Sequence, residues 1–314
     1  MVSSMSERPF LLLLVGPTAS GKSRLAVRVA EAVGAEIINC DAQQTYRGMD
    51  IATAKPGAAE RARIPHHLYD VIAPDEDINA AHYAALADAA ITEIAARGRV
   101  PLVVGGTGLY MRALLRGVAP VPDVPASVRE QVQRTLDLED APSLHARLRD
   151  IDPESAERLH PNDTQRVCRA LEVFIATGRP LSMYQDAHRF EGLRYRHAAF
   201  CLDRSLDILV HRIRDRVDRM FETGLLDEAR GLLDQGYPRD LRAFKALGYR
   251  EAFEVLDGAL TEDEARERIK TLHRQYAKRQ LTWFRKEEVT WLDGGDEDAA
   301  VAAMIAAIPV PSEP

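Results

Sequence analysis

The sequence predicts an α/β protein in which a parallel sheet is flanked by helices and carries a helical insertion domain. A glycine-rich loop of the pattern G-x4-G-K-S, residues 16–23, follows an apolar run at residues 10–15 and precedes a helical pattern. This order is that of a phosphate-binding loop. Strand-like runs at residues 10–15, 36–40, 100–104 and 198–202 alternate with longer helical patterns. We therefore expect a P-loop NTPase-like parallel sheet with helical crossovers.

A change of pattern in the middle of the chain predicts a second domain. The chain has 314 residues, more than a single core usually contains. After a cluster of prolines between positions 120 and 125, the sequence shows amphipathic helical patterns and few strand signals. We expect residues 1–121 and 197–314 to form the α/β core domain with its C-terminal helices, and residues 122–196 to form the helical insertion domain.

One helix of the insertion domain is well defined by its ends. Its pattern runs from Arg166 to Thr177. Asp163 or Thr164 is the expected N-cap, and Gly178 follows the last helical residue, where a left-handed conformation commonly ends a helix.

The last clear helix opens at a capping box, residues 261–264, and runs to about Phe284. Apolar residues at helical spacing predict its buried face: Ala265, Ile269, Leu272 and Tyr276. Cations spaced four residues apart form a row on another face: Arg266, Lys270, Arg274 and Lys278. By itself, such a row fits either a solvated surface or a nucleic-acid footprint.

Composition limits the class of protein. The three cysteines, Cys40, Cys168 and Cys201, are not paired as C-x-x-C, so we expect neither a disulfide framework nor a zinc site, and a reducing cytoplasm fits best. The apolar run before the loop is too short to span a membrane. A net charge of −7 argues against a nucleic-acid partner, but residues 265–286 hold eight cations against one carboxylate. Charge must therefore be considered segment by segment.

The glycine-rich loop has the residues needed to bind a diphosphate or nucleotide. They are Gly16, Pro17, Thr18, Ala19, Ser20, Gly21, Lys22 and Ser23. The glycines permit a tight turn whose N–H groups face an anion at a helix N-terminus. Lys22 adds a positive charge, and the Ser23 hydroxyl can ligate Mg²⁺. The reaction stays open, because any diphosphate or triphosphate ester fits.

Two further residues are expected at the carboxyl edge of the sheet, where open parallel sheets bind ligands. Asp41 ends the second strand and could ligate Mg²⁺, act as a general base or cap the next helix. The run at residues 100–104 leads into Gly105-Gly106-Thr107-Gly108 without an aspartate for metal. The Thr107 hydroxyl and the backbone N–H groups there suit an acceptor group, although the glycines could also form a tight turn alone.

Two other patterns allow more than one interpretation. Arg212, Arg216 and Arg219 lie on one side of a predicted helix, where they could be solvated or could include one arginine that reaches a leaving phosphate. The adjacent His66 and His67 lack the spacing of helical metal ligands. We expect ordinary surface or loop histidines there.

Several motifs together resemble the tRNA dimethylallyltransferase family. They lie, in the family's order, at residues 16–23, 41–56, 65–68, 104–110, 160–163, 166, 169–172, 246–251 and 275–285. The phosphate loop is shared with many enzymes, whereas the other motifs are specific to this family. Gln43 stands where the family usually has Met and Thr45 where it usually has an aliphatic residue, which bears on contacts around the target base rather than on the reaction.

The resemblance implies that a dimethylallyl group passes from its diphosphate to the exocyclic N6 amine of the adenosine 3′ of a tRNA anticodon, with Mg²⁺ assistance. It implies catalytic roles for three residues. Asp41 would accept the amine proton, Thr107 would hold the departing diphosphate, and Arg216 with Lys22 would stabilise its charge.

The resemblance also implies contacts with the tRNA anticodon stem-loop by a protein that is a monomer. The expected tRNA-binding residues are Asp41, Ala42, Gln43, Gln44, Thr107, Arg129, Gln165, Arg166, Val167, Cys168, Arg169, Ala246, Leu247, Gly248, Tyr249, Arg250, Glu251, Arg274 and Lys278. A P-loop small-molecule kinase and a nucleotide-switched RNA-binding protein share the loop. A dimethylallyl donor with release of diphosphate distinguishes the transferase from both.

Overall fold

The computed structural model describes residues 8–188 and 192–309. Its central feature is a six-stranded sheet in the order β3-β2-β4-β1-β5-β6, in which every neighbouring pair is parallel. The strands are β1 (Leu11–Val15), β2 (Glu36–Asn39), β3 (His66–His67), β4 (Pro101–Gly105), β5 (His197–Asp203) and β6 (Thr290–Asp293). The predicted α/β fold class with a P-loop-like parallel sheet is confirmed.

The helices of the described residues lie between and after these strands. They are α1 (Lys22–Val33), α2 (Ala58–Arg63), α3 (Ala80–Ala96), α4 (Gly108–Arg116), α5 (Ala126–Leu138), α6 (Ala141–Ile151), α7 (Pro153–Arg158), α8 (Thr164–Thr177), α9 (Leu181–His188), α10 (Leu206–Glu222), α11 (Leu225–Asp234), α12 (Tyr249–Leu256), α13 (Glu262–Phe284) and α14 (Glu297–Ala306). A short 3₁₀ turn, Arg242–Lys245, precedes α12.

Strand β1 is the centre of the sheet and is buried on both faces. Leu12 and Leu14 pack with residues of α1 and α14, whereas Leu11 and Leu13 pack with residues of α3, α4, α10 and α13. This two-sided burial explains the uninterrupted apolar sequence of the strand. Val15 pairs with Gly105 on one side and with Cys201 on the other, so the loops after β1 and β4 emerge next to each other.

Two edge strands were not predicted from the sequence. Strand β3 has two residues, both histidines, and β6 has four residues with mixed exposure. Edge strands this short give no clear periodicity, and parallel pairing to a longer neighbour defines them. The histidines are satisfied within the protein: the His67 ring bonds Glu36 at 2.7 Å and the His66 ring bonds the Ile64 carbonyl at 2.7 Å.

The described chain divides into two compact units. The described residues up to 115 and from 193 onward form the first, and those between 116 and 192 form the second, whereas the sequence prediction placed the boundaries after 121 and 196. Residues just after 192 bond to the first unit: Arg194 N–H donates to the Leu115 carbonyl at 2.8 Å, and the Tyr195 hydroxyl donates to Asp88 at 2.7 Å. These bonds explain why the second boundary precedes β5 by several residues.

The second unit is helical and has its own core. Helices α5 to α9 form it, and its buried apolar residues include Val132, Leu144 and Val167. Helix α8 ends as predicted, because the Asp163 carboxylate accepts from Arg166 N–H at 3.4 Å and Gly178 has a φ of 71°.

Among the residues that the structure describes, no helix is both long enough and apolar enough to cross a membrane.

Helix α13 begins at the predicted capping box, in which Thr261 N–H donates to the Glu264 carboxylate at 2.8 Å. Its predicted buried face was partly wrong. Leu272 and Tyr276 are only half-buried, and the buried face consists of Ala265, Ile269, His273, Ala277, Gln280, Leu281 and Phe284. This buried face contains two polar residues, His273 and Gln280, where α13 passes the carboxyl edge of the sheet. A prediction from apolar residues alone therefore could not locate the face correctly.

Asp152 is expected to hold the second unit together. Its side chain is buried and accepts from the Ser155 and Ser182 N–H groups, both at 3.1 Å. We expect Asp152→Ala to lower the free energy of unfolding of this unit by about 2–3 kcal/mol, because two buried donors lose their acceptor. Urea unfolding, with hydrogen exchange of the amides in α7 and α9 as the readout, measures this loss of free energy.

The matched control is Asp140→Ala, which removes the exposed N-cap of α6. We expect it to cost about 1 kcal/mol. Equal losses for the two variants would contradict the importance of the burial of Asp152.

Candidate active site

The loop between β1 and α1 is shaped to bind an anion. Gly16 and Gly21 have φ values of 149° and 101°, which L side chains rarely adopt. No side chain caps the N-terminus of α1, so backbone N–H groups at this end, together with the helix dipole, can face a ligand. The Lys22 ammonium folds back over the loop and donates to the Pro17 carbonyl at 3.3 Å.

The loop opens into a cavity that also contains Asp41. Residues predicted to bind diphosphate line it, as do residues predicted for catalysis and for RNA: Thr18, Lys22, Ser23, Asp41, Gln43, Gln44, Arg216, Ala246 and Leu247. Helix α13 contributes the side chains of His273 and Tyr276 to the same lining. The Thr107 hydroxyl accepts a hydrogen bond from the N–H group of Ala42, the residue that follows Asp41.

Asp41 is held by its neighbours and leaves one carboxylate oxygen available. Asn39 is fully buried, accepts from Asp41 N–H at 2.9 Å and donates to the carbonyls of Asp41 and Leu68, both at 3.0 Å. Asp41 Oδ1 accepts from Gln43 N–H at 3.0 Å. Within the described chain, Oδ2 has no hydrogen bond, so Asp41 caps a turn and can also bind a donor. The sequence did not identify Asn39 as its support.

Thr107 is oriented to donate a hydrogen bond. Its backbone N–H donates to the Cys40 carbonyl at 3.1 Å, and its hydroxyl oxygen accepts from Ala42 N–H at 3.0 Å. The hydroxyl proton is therefore directed to a second acceptor. The neighbouring Tyr276 phenol can be that acceptor, because its hydrogen bond with Thr107 opposes the rise of the Tyr276 pKa that burial causes. Tyr276 lies beside Thr107, and burial, followed by the charge of Asp41, raises the pKa of the Tyr276 phenol.

The glycines before Thr107 are required by close packing. A Cβ on Gly105 would overlap the Cys40 carbonyl, and a Cβ on Gly106 would overlap the Gln280 amide. A Cβ on Gly108 would likewise overlap the Trp283 ring. These glycines are therefore more than a turn, because they let β4 approach both β2 and α13.

Two of the three predicted arginines of α10 turn toward the phosphate loop. Arg216 Nη1 donates to Thr18 Oγ1 at 2.9 Å, and Arg212 Nη1 donates to the Ser20 carbonyl at 3.1 Å. Arg219 is exposed. Arg212 and Arg216 are thus half-buried against the loop and Arg219 is solvated, while a role for one of them at a leaving phosphate stays a prediction. Arg204, which no sequence pattern indicated, also donates to the Ser20 carbonyl, at 3.2 Å.

Burial changes the titration of the cations in the cavity. It lowers the pKa of Lys22 to about 8, while the nearby Asp41 carboxylate opposes the shift. Burial, followed by the charge of Arg219, lowers the pKa of Arg216 from its ordinary value. A bound diphosphate would favour the charged form of Lys22, because opposite charges raise the pKa of an ammonium group.

Gln280 connects the two loops of the site, a role that the sequence pattern did not predict. Its side chain is buried, its Oε1 accepts from Thr18 N–H at 2.8 Å, and its Nε2 donates to the Gly106 carbonyl at 2.8 Å. A polar residue at a buried position of an amphipathic helix is the sequence signal that could have identified it. The bridge holds the end of β1 against the end of β4.

The predicted tRNA-binding residues of the first unit differ in exposure. Gln43 and Gln44 line the cavity, and Arg250, Arg274 and Lys278 are exposed.

Tyr249 and Glu251 are buried. The Tyr249 hydroxyl donates to Glu228 at 2.6 Å, and the Glu251 carboxylate accepts from Gly248 N–H at 3.2 Å. Their side chains are therefore inside the protein and are not exposed for contact with RNA.

The second unit carries the remaining predicted contacts. Arg129 of α5 and Gln165, Arg166 and Arg169 of α8 are exposed, Cys168 is half-buried, and Val167 is buried in the core of the unit. The Val167 side chain is therefore part of the packing of α8 and does not reach the surface.

The basic row of α13 is divided in the structure. Lys270 pairs with Asp218 at 2.9 Å, and the Arg266 guanidinium lies 4.3 Å from the centre of the Phe221 ring. Arg274 and Lys278 are exposed and form no ion pair with the described residues. The two halves of the row therefore differ, and the second half is the free cationic surface.

The fold and this cavity define an α/β protein of the P-loop class whose cavity suits a phosphate ester. The family model described as IPP transferase matches residues 44–287, and the one described as Isopentenyl transferase matches residues 9–69. The chain belongs to the tRNA dimethylallyltransferase, or IPP transferase, family. The resemblance inferred from the motifs is confirmed.

Individual relatives agree over nearly the whole chain. A tRNA dimethylallyltransferase of Geobacter sulfurreducens is 49% identical over 294 residues, which cover 93% of this chain and 94% of the relative. The crystal structure of the full-length tRNA isopentenylpyrophosphate transferase of Bacillus halodurans matches with a TM-score of 0.69 and 39% identity, over 95% of this chain and 94% of that one. A eukaryotic dimethylallyltransferase crystallised acting on tRNA matches with a TM-score of 0.79 and 28% identity, over 97% and 81% of the two chains.

The Gln280 bridge can be tested by removing its polar atoms. We expect Gln280→Leu to reduce the free energy of unfolding by about 2 kcal/mol and to weaken binding of inorganic diphosphate, because Thr18 N–H and the Gly106 carbonyl lose their partner. Urea unfolding and calorimetric titration measure the two effects. The matched control is Gln275→Leu at an exposed position of α13; an equal effect of both variants would contradict the bridge.

Proposed function

We propose that this chain transfers a dimethylallyl group from dimethylallyl diphosphate to the exocyclic N6 amine of the adenosine adjacent to the tRNA anticodon on its 3′ side. The observation that supports it most is the cavity in which the phosphate loop, Lys22 and Arg216 lie with Asp41. An anion site beside an available carboxylate is the arrangement that N-alkylation by an allylic diphosphate requires. Family membership favours this reaction over a small-molecule kinase.

Asp41 is the proposed general base. The adenine amine is a weak nucleophile because its lone pair is delocalised into the ring, so its proton must leave as the new bond forms. The N6–C bond forms, the bond between carbon and the bridging oxygen breaks, and the N6 proton moves to Asp41 Oδ2. The buried amide of Asn39 keeps the backbone of Asp41 in place.

Thr107, Lys22 and Arg216 are proposed to stabilise the leaving diphosphate. The electron pair of the broken bond stays on the bridging oxygen, to which the Thr107 hydroxyl can donate a hydrogen bond. Lys22, Arg216 and the loop N–H groups compensate the charge that develops on the phosphates. Their positions are set before substrate binds, because the protein itself satisfies Arg216 and Lys22 through Thr18 and Pro17.

Mg²⁺ fits this site as a partner of the diphosphate and not as an ion held by the protein alone. Within residues 8–188 and 192–309, no group of three or more His, Cys, Asp or Glu side chains could hold a metal. Ser23 lines the cavity and would supply its hydroxyl, while the phosphates and water supply most ligands, as is usual for Mg²⁺. Bound in this way, Mg²⁺ would supply further charge stabilisation for the leaving group.

The proposed RNA partner is the anticodon stem-loop. Enzymes that modify a base inside a stacked loop must extrude it into a pocket, and single-stranded RNA is held by cations and stacking. We propose that Gln43, Gln44 and the exposed cations Arg250, Arg274 and Lys278 of the first unit contact the RNA. Separate contacts are proposed for four exposed residues of the second unit, which are Arg129, Gln165, Arg166 and Arg169. A monomer acting in the cytoplasm is the simplest form consistent with this proposal.

Mass analysis of nucleosides tests the function directly. Unmodified tRNA is incubated with the purified protein, Mg²⁺ and dimethylallyl diphosphate, beside a control with ATP only. We expect dimethylallyl adenosine in the first sample. Its absence across a complete tRNA pool, with consumption of ATP instead, would support the kinase.

Asp41→Asn tests the general base. We expect turnover to fall by about 10²- to 10⁴-fold, because the amide cannot accept the proton, whereas tRNA affinity should persist. The amide oxygen can still accept from Gln43 N–H, so the turn should stay folded. Asp75→Asn, an exposed position, is the control, and near-normal turnover of Asp41→Asn would remove Asp41 as the base.

The free cations of α13 are expected to contribute to RNA affinity. Arg274→Gln with Lys278→Gln should weaken tRNA binding and reduce the slope of log K against log salt by about 1–2, since two phosphate contacts are lost. Filter binding over a salt series measures the slope. A control with Arg63→Gln and Arg230→Gln removes the same charge from exposed positions elsewhere; equal slopes for both pairs would contradict a local footprint.

A further inference from the structure

His273 is a buried polar residue that the proposed mechanism does not use. It lies on α13, its side chain is buried, and it lines the cavity of the candidate active site. Neither ring nitrogen has a hydrogen-bond partner within the described protein. Buried polar groups are nearly always hydrogen-bonded, and one that is not has lost its water without compensation. An unpartnered imidazole in a ligand cavity indicates that a ligand supplies the missing partner.

The position of His273 along α13 indicates which part of the ligand it meets. Gln280 contacts the phosphate loop through Thr18, and Tyr276, one turn before it, lies beside Thr107. His273 precedes Tyr276 by three residues and lies next to Arg216 of α10, the cation that donates to Thr18 Oγ1. The imidazole therefore neighbours the cationic end of the cavity.

The surroundings of His273 hold its imidazole neutral before a ligand binds. Burial, followed by the charge of Arg216, lowers its pKa to about 3. Among the described residues, Arg216 is the charged group whose field lowers the pKa of the ring. The other residues that line this part of the cavity are uncharged: Ala246 and Leu247 from the facing segment and Tyr276 from α13. A neutral imidazole still has one N–H donor and one acceptor nitrogen.

We propose that His273 donates a hydrogen bond to the diphosphate of the allylic substrate and gains a proton as that diphosphate binds. The inference rests on the proposed function, since it assigns the ligand of the same cavity. A dimethylallyl group has no polar atom to offer, whereas a diphosphate offers acceptors beside Arg216. Its negative charge also reverses the repulsion that Arg216 imposes on the protonated ring.

Inorganic diphosphate is the appropriate probe, because it has neither the allyl group nor the base. In calorimetric titrations of the full chain we expect His273→Leu to weaken its binding about 10- to 100-fold, as for loss of a hydrogen bond to a charged group. His273→Gln keeps a neutral N–H donor and should retain most of the affinity at about pH 8, where the imidazole is least protonated. The matched control is His211→Leu, an exposed histidine of α10, which should bind as the wild type does.

Proton uptake provides a readout that a structural role would not change. As the pH is lowered from about 8 to about 6, wild-type affinity should rise relative to that of His273→Gln, because the histidine can gain a proton on binding and glutamine cannot, whereas Lys22 is common to both proteins. Titrations in two buffers with different ionisation enthalpies should show more proton uptake for the wild type than for His273→Gln, because uptake by Lys22 is common to both. Thermal unfolding should show His273→Leu to be at least as stable as the wild type, because leucine removes an unpartnered buried polar group.

Two outcomes would overturn the inference. One is wild-type affinity of folded His273→Leu for diphosphate. The other is loss of tRNA affinity with diphosphate affinity unchanged, which would place the base at the imidazole. Failure of the wild-type protein to modify tRNA would contradict the proposed function instead, and the diphosphate titrations separate that result from either of these.

Discussion

The hydrogen bonds of Gln280 are the interaction on which the site depends. This side chain accepts from Thr18 N–H in the loop after β1 and donates to the Gly106 carbonyl in the loop after β4. The sheet places the two loops side by side, but pairing of β1 with β4 ends at Gly105. Beyond that point the amide of Gln280 holds them together, so α13 is part of the site and not only a cover for the sheet.

The candidate site concentrates positive charge within an acidic protein. The chain has a net charge of −7, yet Lys22, Arg204, Arg212 and Arg216 all donate hydrogen bonds to the phosphate loop. Burial strengthens their effect on a ligand, because the local dielectric constant is low. The same burial opposes their charge, and it lowers the pKa of Lys22 to about 8. The local arrangement of charge, and not the total charge, makes the site suitable for an anion.

Sequence patterns predicted the long elements and missed those defined by packing. The four main strands and the ends of α8 followed from periodicity and capping residues, which act within a few residues of each other. Strand β3 was missed because its two residues are ordered by pairing with β2. The predicted buried face of α13 was partly wrong because it included Leu272 and Tyr276, which are half-buried. The observed buried face includes the polar residues His273 and Gln280, which a search for apolar residues does not detect.

The sequence by itself determined the phosphate loop, the P-loop class of the fold and the family, because these depend on local spacing and on motifs that can be read along one chain. The tertiary structure decided which arginines of α10 face the loop, that Asn39 and Gln280 support the site, and that Tyr249 and Val167 are buried. These features join residues far apart in the chain. Periodicity along one helix identifies a face, but packing determines which neighbour that face meets.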